Sequence, residues 1–259
     1  MGYDYEEFKK DVYRITNINL DLYKERQMKR RIESLIARKG FSGFEDFFKG
    51  MRQDEELLHT FVTYLTINVS QFYRNPAQWE NFDKEVVPYL MKNFGKNLTI
   101  WSAACSTGDE PYTIAMILAE HMPFADFNVI ATDIDEEVLK FAKEGIYSDK
   151  SLVDLPKVYL DKYFTKLDEH QYKVSDDIKK RINFKKHNLL EDAYFSNVDT
   201  IVCRNVVIYF TDEAKDKVYA QFRDSLKKDG LLFIGSTEQI LKPRDIGFEL
   251  LKTFFYKKI

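Results

Sequence analysis

The order of apolar and polar residues gives the chain two textures. Up to about residue 93, apolar positions recur at helical spacing; Met28, Ile32, Leu35 and Ile36 fall on one stripe of a single helix. Asp21 can cap the start of that helix, and Gly40 follows its last turn, where a left-handed residue fits. Further helices are predicted at about 44–53, 54–67 and 76–93. Pro76 suits the first turn of the last, where its missing N–H would have no helical partner anyway.

From Leu98 onward, short apolar runs alternate with amphipathic ones. The runs at 98–102, 128–132, 182–187, 198–203 and 231–235 predict strands, and those at 110–121, 136–145 and 212–228 predict helices. This alternation implies an α/β fold, a mostly parallel Rossmann-like sheet with helices on both faces. At the end, 248–251 and 253–257 lie close enough in sequence to pair antiparallel. No glycine occurs between Gly145 and Gly230, and two strand-like pieces at 163–165 and 172–174 predict a small β-lobe inserted at about 160–181. The expected division is an all-α N-terminal domain over 1–75, a linker helix over 76–97 and the sheet domain over 98–259.

Composition narrows the function. With 44% hydrophobic and 31% charged residues, the chain has the makings of a globular core and not of a disordered tail. No apolar run reaches the roughly 18 residues that a membrane span needs, and no signal-peptide pattern opens the chain. Cys105 and Cys203 show neither disulfide-framework nor metal-ligand spacing, which suits a reducing cytoplasm. His59, His121, His170 and His187 are scattered, so no metal is expected. A net charge of −3 argues against a nucleic-acid partner. A monomer is the default expectation.

One turn carries candidate chemistry. After the first predicted strand come Ser102-Ala-Ala-Cys-Ser-Thr-Gly108, all small, so backbone there can approach a ligand closely. Asp133 ends the next strand, where an acid can accept hydrogen bonds from both ribose hydroxyls of an adenosine ligand. The usual glycine-rich fingerprint is missing, and the same pattern also fits an ordinary strand–helix turn.

Five strings in order are more specific. They are Asn68-Val-Ser-Gln-Phe-Tyr-Arg74, Trp101-Ser-Ala-Ala-Cys-Ser-Thr-Gly-Asp-Glu-Pro-Tyr112, Ala131-Thr-Asp-Ile-Asp135, Asn188-Leu-Leu190 and Cys203-Arg-Asn-Val-Val-Ile-Tyr-Phe210. Together they resemble the CheR family, the chemotaxis receptor methyltransferases, across nearly the whole chain. The resemblance implies the methyltransferase fold, S-adenosylmethionine as cofactor, S-adenosylhomocysteine as product, and receptor glutamates as methyl acceptors. By position, Asn68, Ser70 and Arg74 match the segment closing over the cofactor. Glu110 matches the partner of the cofactor's amino group, and Asp133 the ribose acid. Asn188 and Leu189 match the pair flanking adenine, and Arg204 and Asn205 match residues beside the cofactor. Ser70 stands where threonine is common, and Asp109 where glutamate is common; little consequence is expected of either.

Arg74 and Tyr209 are the expected orienting residues of the reaction. Taken without the resemblance, Arg74 could as well be a salt-bridge tie and Tyr209 a core aromatic. A glutamate of ordinary pKa, about 4.3, is already an anion at neutral pH, so no general base is required. The helical segment at 24–39 holds Lys24, Arg26, Lys29, Arg30, Arg31, Arg38 and Lys39 against Glu25 and Glu33. Arg26, Arg30 and Arg38 fall opposite the apolar stripe, with Arg31 on its flank. This is either a solvated face or a patch that steers toward the acidic helical signalling region of a receptor. The glycine-free lobe resembles family members that do not grip a receptor's C-terminal tail peptide. Two rival functions stand beside this reading: methylation of a small molecule or nucleic acid, and a non-enzymatic cofactor-sensing module that binds a receptor.

Overall fold

The computed structural model describes residues 3–68 and 70–259. Val69, within the first of the five strings, lies outside the described residues. The chain forms two compact units, one of residues 1–68 with 206–217 and one of 69–205 with 218–259.

In the first unit, helix α1 (Tyr5–Thr16) starts at Asp4, whose carboxylate accepts the Glu7 N–H at 3.1 Å. Helix α2 (Glu25–Arg38) buries Met28, Ile32, Leu35 and Ile36, the stripe the pattern predicts. Its end is also as expected: Gly40 has φ 79°, and the Phe41 N–H reaches back to the Ile36 carbonyl at 3.1 Å. Its start differs. Lys24 holds the N-cap position without a side-chain bond, and Asp21 sits in a short 3-10 turn, Leu20–Leu22, where it pairs with Lys9. The reason is electrostatic: Lys9 is 7% exposed, and a buried ammonium needs a carboxylate more than a helix end does. Helices α3 (Phe44–Gln53) and α4 (Glu55–Thr66) complete the bundle, α4 being capped by Asp54 through the Glu56 and Leu57 N–H groups. Phe8, Phe47 and Phe61 meet edge to face at its centre. The later segment joins by antiparallel backbone bonds, Lys24 N–H to Tyr209 O and Thr211 N–H to Leu22 O, both 2.9 Å, with the Tyr23 and Phe210 rings packed edge-on.

The second unit opens with α5 (Pro76–Asn81), a π turn (Phe82–Val86) and α6 (Val87–Phe94), one continuous run where a single helix is predicted. The π turn precedes Pro88, which has no N–H to give a preceding carbonyl; widening the turn relieves its ring. Then follow β1 (Leu98–Ala103), α7 (Asp109–His121), β2 (Phe127–Asp133), α8 (Glu136–Glu144), β3 (Ile146–Ser148) and α9 (Lys157–Tyr163). After these come β4 (Phe164–Lys166), β5 (Gln171–Val174), α10 (Asp176–Lys179), β6 (Ile182–Lys186) and β7 (Val198–Cys203). The chain closes with α11 (Asp212–Ser225), β8 (Leu226–Ile234), β9 (Phe248–Lys252) and β10 (Phe255–Lys258).

The main sheet has the order β6-β2-β1-β7-β8-β10-β9. All pairs are parallel except those of β10, which runs antiparallel to β8 and β9. Every residue of β7 is buried, as a central parallel strand covered on both faces requires. Helix α11 ends three residues before the predicted position. Lys227 is drawn into β8 by Asp199, a fully buried carboxylate 2.7 Å away that also accepts the Thr99 N–H. The lobe is a second sheet, β3-β5-β4, and its third strand is one the sequence pattern does not reveal.

Candidate functional site

In the sheet order, β1 lies between β2 and β7, so successive crossovers leave it in opposite directions. A crevice opens beyond the carboxyl ends of strands at such a point. The loop after β1 is held to the end of β2. Cys105 N–H donates to Thr132 O at 2.8 Å, and Ser106 N–H to Asp133 Oδ2 at 2.8 Å. Asp133 Oδ1 takes the Asp135 N–H at 3.0 Å. Small residues are needed here: a Cβ on Gly108, which has φ 91°, would lie 2.8 Å from Ala142 Cβ and 2.9 Å from Tyr147 Oη.

A small cleft of about 50 Å³ lies against this loop, lined among others by Ser70, Arg74, Ser106, Glu110, Arg204 and Asn205. Its walls are built from unusual backbone. Tyr73, Asn75, Ala104, Ser106 and Asn205 all have positive φ, between 48° and 65°. Such conformations cost non-glycine residues energy and collect where side chains must be aimed.

The charges in the walls are paired. Glu110 accepts the Ser102 hydroxyl at 2.8 Å and faces Arg204 at 3.6 Å. Burial pushes its carboxyl up, against the pull of Arg204 and Ser102. Arg204 donates from one nitrogen to Arg74 O, Gln78 Oε1 and Asn75 Oδ1 at 2.8, 2.9 and 3.1 Å. Its guanidinium lies 5.0 Å from the centres of both the Trp79 and Phe233 rings. Its Nε is buried without a partner among the described residues. Asp109 is also buried; burial raises its carboxyl, and the Thr107 and Ser70 hydroxyls hydrogen-bond it. Ser70 therefore serves the loop as well as the cleft. Asp133 is buried enough that its carboxyl is pushed up to about 6; Asp135 adds to this, and backbone N–H groups oppose it.

The other expected residues divide by unit. Asn188 and Leu189 follow β6, beside the end of β2; Asn188 accepts the Leu190 N–H at 3.0 Å, and Leu189 O accepts the Tyr194 hydroxyl at 2.7 Å. Trp101 is wholly buried and donates to Thr132 Oγ1 at 2.9 Å, a packing role. Burial lowers the His187 pKa; its ring lies against Phe195, bonded to Ala193 O, and is structural. In the first unit, Asn68 donates to Thr66 Oγ1 at 2.8 Å, and Tyr209 is half-buried. Arg26, Arg30 and Arg38 are exposed on α2. Arg31 is not: it donates to Tyr64 O at 2.6 Å and stacks on the Tyr64 ring, which Arg38 also approaches.

The sequence reading missed the ring of acceptors on Arg204 and missed Glu238, which accepts the Asn205 and Gly235 N–H groups at 2.7 and 2.8 Å. The available signal was an acid three residues after a strand-ending glycine.

Comparison with known proteins gives the same outline. Residues 3–66 match the all-alpha domain of CheR methyltransferases, and residues 68–254 match their SAM-binding domain. A chemotaxis protein methyltransferase of Listeria innocua is 42% identical over 255 residues, covering 98% of this chain and 97% of its own. That of Listeria monocytogenes matches equally. One from Borreliella burgdorferi is 33% identical over 261 residues, covering 96% and 92%. Fold, cleft and these matches define an S-adenosylmethionine-dependent methyltransferase. The chain belongs to the CheR methyltransferase family and acts in chemotaxis. The donor set fits the cofactor: buried carboxylates suit an ammonium and a pair of ribose hydroxyls, and a small-residue loop lets backbone approach them.

Proposed function

We propose that the chain esterifies glutamate side chains in the cytoplasmic helical signalling region of chemotaxis receptors, leaving S-adenosylhomocysteine. The observation that carries this reading is the chemistry of the cleft. Among the described residues lining it there is no histidine or lysine, and Glu110, which accepts the Ser102 hydroxyl and faces Arg204, is held as a charge partner and not as a free base. Burial pushes the Cys105 thiol well up, away from thiolate. A cleft without a free base suits a nucleophile that needs none, and a glutamate of pKa about 4.3 is such a nucleophile.

The cofactor supplies an activated methyl on a sulfonium. The chain's part is placement and exclusion of water, since a weakly solvated carboxylate attacks more readily. Asp133 is proposed to hold the ribose and Glu110 the amino group. Asn188 and Leu189 would flank the adenine, and Asn68, Ser70, Arg204 and Asn205 would shape the remainder. Arg74 and Tyr209 would orient the acceptor carboxylate without binding it so tightly that it stops being a nucleophile. Arg26, Arg30 and Arg38 would steer toward acidic receptor helices, and Arg31 would brace their helix. The turn between β4 and β5 is short and free of glycine, which supports methylation without a receptor tail peptide. The chain is read as a cytoplasmic monomer.

The test is transfer of tritiated methyl from S-adenosylmethionine to a receptor signalling fragment. The expected product releases volatile methanol counts in mild alkali. Counts that stay on the protein through base treatment would indicate an amine or ring acceptor and end the ester reading.

A further inference from the structure

The structure assigns Glu238 as a positioning residue for the cofactor side of the cleft, acting through Asn205; the inference rests on reading Asn205 as a cofactor contact. Glu238 is a charged residue only 5% exposed, and it is not among the residues lining the cleft. Its work is done on backbone. β7 and β8 run parallel, with Cys203 paired to Ile234, and just beyond that pair the two chains part. The N–H groups of Asn205 and Gly235, beyond the paired ends, both point at one carboxylate oxygen, Oε2, at 2.7 and 2.8 Å. A side chain thus completes what the sheet no longer supplies. Charge-assisted bonds of this kind are stronger than neutral ones.

The site is built around this contact. A Cβ at Gly235 would lie 2.6 Å from Glu238 Oε2, 2.8 Å from Asn205 N and 3.0 Å from Asn205 Nδ2. Gly235 is therefore glycine for want of space, because its backbone angle would accept any residue. From behind, the Tyr219 hydroxyl donates to Glu238 O at 3.2 Å, and the Glu238 N–H closes a turn onto Gly235 O at 3.1 Å. Asn205 is held at φ 63°, a conformation asparagine tolerates but does not prefer. Releasing its N–H would let that residue relax and would move its neighbour Arg204, which faces Glu110. Both line the cleft.

Three substitutions separate geometry from charge, using the full chain. Glu238→Gln keeps an oxygen at the same reach and loses the charge. Glu238→Asp keeps the charge and withdraws the oxygen by about 1.5 Å, one carbon–carbon bond. Glu238→Ala removes both. S-adenosylhomocysteine affinity is measured by calorimetry, and exchange of the Asn205 and Gly235 amides is followed in the unliganded protein. Glu238→Gln should bind within about threefold of wild type and keep both amides protected, while Glu238→Asp should lose about tenfold or more and expose them. Glu238→Ala should lose at least as much; if it does not fold, the Gln–Asp contrast decides alone. Wild-type affinity in Glu238→Asp, or equal losses in Asp and Gln, would overturn the proposal. Asn205→Ala is the control: undiminished affinity there would remove the premise about Asn205 while leaving the cofactor assignment intact.

Discussion

Ser106 and Asp133 are joined across two strand ends, the backbone N–H of one giving its hydrogen to Oδ2 of the other at 2.8 Å. The bond makes the loop after β1 depend on a carboxylate whose burial resists ionisation. Asp133 takes N–H groups from Asp135, Ser106 and Ile134 and still has its pKa pushed up to about 6 from an ordinary 3.8. The group is thus held in tension between desolvation and hydrogen bonding, and ligand hydroxyls would favour its charged form.

That tension gives a pH prediction. A folded pKa above the unfolded one means the folded state binds the proton more tightly. The stability contributed by Asp133 is therefore full below about 4 and lost as pH rises through about 6. Cofactor binding should run the other way, with S-adenosylhomocysteine affinity rising as pH climbs from 5 to 7. Burial raises Glu110 too, so the diagnostic is the part of each slope that Asp133→Asn removes. Asp133→Ala should cost about 1–3 kcal/mol of affinity at neutral pH, the usual cost of stranding buried polar partners. Calorimetry finding unchanged affinity in a folded variant would withdraw the ribose assignment.

Arg204 should matter for stability before it matters for chemistry. Arg204→Met leaves Glu110 buried opposite no cation and strands three acceptors, so unfolding free energy should fall by about 3–5 kcal/mol. Arg204→Lys should rescue little, because an ammonium cannot reproduce the planar fork between two rings. Urea denaturation of both variants checks this; a loss below about 1 kcal/mol in Arg204→Met would contradict it.

Tyr209→Phe keeps a half-buried ring and deletes one hydroxyl. Receptor methylation should fall at least about tenfold while the melting temperature stays within a few degrees of wild type. Arg74→Ala should reduce both cofactor affinity and turnover. Full turnover in Tyr209→Phe would remove that hydroxyl from the reaction.

Replacing Arg26, Arg30 and Arg38 with alanine should weaken receptor recognition and spare cofactor affinity. Exposed charges are screened over about 8 Å at physiological ionic strength, so the wild-type rate should decline with salt and the triple variant should show a flatter response. Initial rates on a receptor fragment at saturating cofactor supply the comparison. Since Arg38 also lies over Tyr64, the Arg26/Arg30 double variant is the cleaner reagent. Normal rates with an unaltered salt slope would return this face to plain solvation.

Where the sequence spoke plainly, periodicity and burial coincide. The stripe Met28–Ile32–Leu35–Ile36, the left-handed Gly40 and Pro76 at a first turn could all be read directly, because each depends on local geometry. The strands from Leu98 to Cys203 could be read for the same reason, and the family resemblance proposes site residues, some of them just beyond the strand ends. What could not be read depends on partners distant in sequence. Asp21 abandons a helix cap for Lys9, Lys227 leaves a helix for Asp199, and β3 is three residues of ordinary composition made a strand by Tyr172 and its neighbours. Glu238 belongs to this class: its place three residues after a glycine hints at a turn, but the amide it satisfies lies 33 positions earlier.

The lobe is discontinuous in sequence. Its middle strand, β5, is gripped by β4 from the adjoining hairpin and by β3 from a stretch that leaves the chain directly after α8. A graft that moved only the contiguous hairpin would carry away two strands and leave the third behind, exposing one edge of β5 to solvent or to another chain. The turn at 167–170 is tied down as well: His170 O accepts the Asp149 N–H at 3.0 Å, and the His170 ring meets Asp149 Oδ2 at 2.9 Å. Evolution or a designer can therefore transplant this lobe, tip included, only together with the end of the crossover that anchors it.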